Sequence, residues 1–84
     1  MPTISSFYGI IVFFNQRGKE HNPPHIHAIT ADYEAAFLLS DGTIMAGEFP
    51  PKGLAMVSEF ILNNQKELEE MWETGSYHKL PPIK

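Results

Sequence analysis

The sequence predicts an α+β fold: a four-stranded antiparallel β meander with one long C-terminal helix packed on one face. Three observations carry that expectation. Short β-branched or aromatic runs alternate with turn residues through the first half of the chain. The gaps between those runs are too short for crossover helices, so neighbouring strands pair antiparallel. From Leu54 to Trp72 the apolar residues recur at steps of three and four, the spacing of an amphipathic helix. With 84 residues, one small domain over residues 1–84 is expected, burying about 60–65% of its unfolded surface.

The elements follow in order. Phe7-Tyr8-Gly9-Ile10-Ile11-Val12-Phe13-Phe14 is apolar on both faces and predicts a strand over 7–14, with Gly9 marking a bulge or a close backbone approach. A polar turn, Asn15–Lys19, precedes a second strand over 25–30, with Pro24 just before it, where a missing N–H does no harm. Ala31-Asp32 separates this from a third strand over 33–39. Asp41-Gly42 is a hairpin signal, so a fourth strand is expected over 43–48.

Pro51 suits the first turn of a helix over 51–73, whose core face holds Leu54, Val57, Ile61, Leu68 and Trp72. Met45, Met56 and Met71 are expected to join the core. Gly75 supplies a left-handed C-cap. The tail, Ser76–Lys84, contains Pro81-Pro82 and should run extended along the domain.

Composition narrows the function classes. There is no cysteine, which excludes a disulfide scaffold and any zinc site using thiolates, and fits a reducing compartment. The start of the chain lacks a basic n-region, and Ile10–Phe14 is too short to span a bilayer. A cytoplasmic location without a membrane partner is therefore expected. The net charge of −4 and the scatter of the six basic residues argue against a nucleic-acid-coating role.

Chemistry concentrates in Glu20-His21-Asn22-Pro23-Pro24-His25-Ile26-His27, which holds three of the four histidines. On a strand, residues two apart share a face at about 6.5–7 Å between Cα atoms, so His25 and His27 project together. The expected face is the one opposite the helix, exposed to solvent. Whether His21 joins them depends on how the two prolines turn the chain.

Three readings stay open at this point. His21, His25 and His27 could be ligands of a divalent transition metal such as zinc, with Glu20, Asp32 or Glu34 as a carboxylate and His78 in reserve. The same histidines are candidate catalytic residues for metal-independent ribonuclease-like acid–base chemistry, with Arg17, Lys19 and Asn22 as binding residues for an anion. The bland alternative is a structural or partner-binding cluster.

The order Ile4-Ser5-x-Phe7-Tyr8-Gly9, then Glu20-His21-Asn22-Pro23-Pro24-His25-x-His27, then Asp41-Gly42, Glu48-x-Pro50, Trp72 and Leu80-Pro81-Pro82 resembles a family of small bacterial proteins of unknown function. The resemblance covers essentially the whole chain, and the histidine–proline block is its most specific part. It implies a compact α+β domain often encoded beside a second small protein, a pairing that suggests a toxin–antitoxin module. The partner implied is the neighbouring gene product, with a homodimer as the other option. The positions matching the family signature are His21, Asn22, Pro23, Pro24, His25 and His27. The chain departs from the pattern at Ser6, where a basic residue is usual, and at Ala31, where glycine is common. The Ser6 departure puts an anion contact near the first strand in doubt.

Overall fold

A computed structural model describes residues 2–15 and 23–83. The chain forms β1 (Thr3–Phe7), β2 (Ile10–Phe13), β3 (His25–Ile29), β4 (Glu34–Leu38), β5 (Ile44–Gly47), α1 (Pro51–Asn63) and α2 (Gln65–Thr74). The sheet is an antiparallel meander in the order β1-β2-β3-β4-β5. The expected meander is thus present with one strand more, and the expected helix is divided in two.

The extra strand comes from a turn inside the run expected to be a single strand over 7–14. Tyr8 has φ 51° and Gly9 φ 78°, so both central residues are left-handed, as a type I′ hairpin requires. Gly9 is a turn residue and not a bulge. Phe7 then pairs with Ile10, Ser5 with Val12 and Thr3 with Phe13. Ile4 is the extra residue where that register shifts, and the tail lies beside it: the Leu80 N–H donates to the Ile4 carbonyl at 2.8 Å. The tail therefore covers the β1 edge of the sheet, extended as expected.

The helix over 51–73 breaks at Asn64, which has φ −129° and ψ 24°. Its backbone N–H bonds the Ile61 carbonyl and its side-chain amide bonds the Phe60 carbonyl at 2.9 Å, so one residue closes α1 twice. The Leu68 N–H returns to the Asn64 carbonyl, which starts α2. Pro51 opens α1 and Gly75 (φ 75°) closes α2, both as expected.

Alternation along the strands sorts the sheet into two faces. Val12, Ala28 and Ala35 line up across β2, β3 and β4, and Ile26 lies opposite Phe37. These residues share a buried core with Val57, Phe60 and Ile61 of α1 and Leu68 and Met71 of α2. Phe60 meets Phe7 at 5.4 Å between ring centres, and Phe49 meets Phe37 at 5.7 Å. Met71 is core as expected, Met56 packs at its margin, but Met45 is 39% exposed. It stands at the register shift between β4 and β5, where Ala46 pairs with Ala36 and Ile44 with Phe37. A bulged residue has no partner opposite to pack against. Gly47 beside it is required: φ is 87°, and a Cβ would run into the Glu34 carbonyl and Ala35 Cα.

Candidate functional site

The alternate residues of the same strands point away from that core. Phe13, His27, Ala36 and Ala46 form one cross-strand row, Ile11, Ile29 and Glu34 a second, and His25 lies opposite Leu38. The spacing argument therefore holds: His25 and His27 share the face opposite the core. The expectation that they would be exposed does not hold for His25, which is only 7% exposed; His27 is half-buried.

The local backbone explains why His25 is held. Pro23 and Pro24 precede β3, and the Pro23 carbonyl lies 2.9 Å from His25 Nδ1. A carbonyl can only accept, so Nδ1 is the donor in this hydrogen bond. Trp72 of α2 reaches round the sheet end to pack on the His25 ring at 5.1 Å between ring centres. Trp72 packs against the core as expected, is half-buried, and also touches the His25 ring. His27 stacks on Phe13 at 5.4 Å with 19° between planes. The two imidazoles lie 5.2 Å apart at 76°. Phe13, His27, His25 and Trp72 thus form a continuous string of rings.

The other sequence-derived candidates divide. Arg17, Lys19, Glu20, His21 and Asn22 lie outside the described residues. Among the described residues no group of three or more His, Cys, Asp or Glu could hold a metal ion, so Asp32 and Glu34 do not complete a three-ligand set with His25 and His27. His78 is exposed in the tail, its Nδ1 facing the Lys79 carbonyl, while Tyr77 packs on Phe14. The contacts of Phe13 with His27 and of Trp72 with His25 are what sequence reasoning missed. The β2–β3 pairing that puts Phe13 beside His27 is non-local, and so is the approach of α2 to His25.

Fold and site together define a small antiparallel α+β domain with a pair of oriented imidazoles on the sheet face turned away from its helices. The chain belongs to the family described as a domain of unknown function, DUF4160, whose model matches residues 9–73. That span includes the histidine pair, Phe13 and Trp72. No curated protein and no solved structure matches the chain. Among the described residues no helix is long and apolar enough to cross a membrane.

Proposed function

We propose that the chain is a cytoplasmic partner-binding module, and that a second small protein, as in a toxin–antitoxin pair, docks on the sheet face around His25 and His27. The composition of that face is the observation that supports the reading. An antiparallel sheet with one side in water normally carries polar residues there. Here Ile11, Phe13, Ile29, Ala36, Leu38 and Ala46 occupy the outward positions, and Thr3, Ser6, Glu34 and the two histidines supply the polar groups. Ile11 remains 39% exposed. Phe13 and Ala36 are buried, Ile29 and Leu38 are half-buried and Ala46 is exposed, and the exposed part of such an apolar row supports an interaction surface. The net charge of −4 favours a neutral or basic partner.

An acid–base site for phosphodiester cleavage has less support. His25 is buried and its Nδ1 is committed to the Pro23 carbonyl, which leaves little room for a bulky polyanion to reach it.

The test mixes the chain with the protein encoded beside it and measures complex formation by light scattering. A stoichiometric complex is expected, weakened at least tenfold by Ile11→Lys and unchanged by Leu62→Lys on the exposed side of α1. Equal affinity of both variants contradicts the docking face. A chain that is dimeric alone, and becomes monomeric with Ile11→Lys, assigns the face to a second copy instead.

A further inference from the structure

We propose that a groove between the β1–β2 turn, α1 and the C-terminal tail binds a short zwitterionic peptide, about three residues long, with an apolar middle side chain. The groove shares no lining residue with the histidine face. The inference therefore goes beyond the docking reading and does not depend on it.

Three separate parts of the chain build the walls. Lys52, Met56 and Glu59 follow one another along α1 at steps of four and three, which sets them in one stripe on the helix. Tyr8 stands at the tip of the β1–β2 hairpin. Ile83 arrives with the tail, just beyond the bond from the Leu80 N–H to the Ile4 carbonyl. Together these five residues line an open cavity of about 530 Å³, a volume typical of small-ligand sites.

Two of the five stand against local preference. Tyr8 has φ 51° at a turn position that favours Asn, Asp or Gly, and positive φ strains a bulky residue. It is 67% exposed, so core packing does not account for it. Lys52 lies in the first turn of α1, which holds no acidic residue, although that end of a helix favours anions. A ligand carboxylate would satisfy both the lysine and the helix end. Departures of this kind collect at functional sites.

The charges select the ligand. Lys52 and Glu59 are exposed and stand two helical turns apart, about 10.5 Å along the axis, with Met56 between them. An extended tripeptide spans about 10 Å. Its carboxylate can therefore meet Lys52 while its ammonium group meets Glu59. The middle side chain then rests on Met56, Tyr8 and Ile83, the apolar part of the lining.

The experiment titrates free alanyl-leucyl-alanine into the full chain without any protein partner, following the Met56 methyl and Tyr8 ring resonances. Saturable shifts are expected at both, with Met45 on β5 unmoved. Acetylating the amino end or amidating the carboxyl end should each weaken binding at least about threefold, the scale of a solvent-exposed ion pair. Glu59→Gln should reproduce the first loss and Lys52→Gln the second, with neither weakening the corresponding blocked peptide further. Tyr8→Asn gives the turn a residue that suits it, so the unfolding midpoint should hold or rise while peptide binding weakens by a similar factor. Absence of saturable shifts at Met56, or equal affinity for free and doubly blocked peptides, overturns the site. Undiminished binding by Tyr8→Asn overturns the part assigned to the turn. Met56 shifts that follow protein concentration without peptide assign the groove to a second copy and overturn the peptide reading.

Discussion

Under the helices, Val12, Ile26, Ala28, Phe37 and Leu39 are buried in a core shared with α1 and α2. On the opposite face the same strands present Ile11, Phe13, His25, His27, Ile29 and Ala36, outside that core apart from the contact of Trp72 with His25. Among the described residues both faces are largely apolar and helices pack on only one, while on the other Phe13, His25 and Ala36 are buried and Ile11 is 39% exposed. The covered face explains the stability of the fold. The other carries the half-exposed Ile11 beside the buried His25 and the half-buried His27.

The largest expected difference between the faces is in packing. Phe37 is fully buried and packs on Phe49, so Phe37→Ala should cost about 3–5 kcal/mol, enough to threaten a domain of this size. Ile11→Ala on the open face should cost less than about 1 kcal/mol, because its side chain already meets water. Urea unfolding of the two variants checks the comparison, and equal losses would erase the distinction between the faces.

Next in size is the tie between the helical layer and the far end of the sheet. The Gln65 side-chain amide donates to the Leu39 and Ser40 carbonyls at 2.9 and 2.6 Å, joining α2 to the β4–β5 turn. Gln65→Ala should destabilise by about 1–2 kcal/mol, and the loss should appear as faster amide exchange in that turn.

The division of faces explains which parts of the fold were legible. The apolar runs of β3 and β4 bounded by Pro24, Ala31-Asp32 and Asp41-Gly42, and the three-and-four spacing of Val57, Ile61 and Leu68, made those elements readable to within a residue or two. The β1–β2 turn was not, because Tyr8-Gly9 lacks the Asn or Asp that announces a type I′ turn, and its flanks are apolar like a continuous strand. The break at Asn64 was hidden for a similar reason: α1 and α2 bury residues on the same side, and a one-residue interruption leaves the apolar spacing nearly intact. In the site, His25 and His27 sharing a face followed from local geometry alone. The burial of His25 by Trp72, 47 positions along the chain by their numbers, is tertiary and left no local signal.

Smaller effects sharpen the picture of the covered side. Ser5 is buried opposite Val12, and its Oγ has no hydrogen-bond partner among the described residues. Ser5→Ala removes an unsatisfied hydroxyl and should be neutral or stabilising by up to about 1 kcal/mol in urea unfolding. A clear loss of stability would mean that the hydroxyl has a partner in solution.

The smallest effect is at the exposed β4–β5 turn. The Thr43 hydroxyl and backbone N–H both donate to Asp41 Oδ1 and hold its carboxyl below the usual range. A lowered folded-state pKa gives a contribution that is present above the unfolded-state value and is lost as pH falls through the folded-state value. Asp41→Asn should therefore remove a small acid-dependent part of stability and leave the neutral-to-alkaline profile parallel to that of the unmodified chain.

The central claim is that the helix-free face serves binding and not stability. The measurement that tests it most directly is the dissociation constant of Ile11→Lys for the proposed partner, the protein encoded beside it, taken on a variant whose unfolding midpoint has been matched to the unmodified chain. At least tenfold weaker binding at unchanged stability is the predicted result. Unchanged binding at unchanged stability would contradict it.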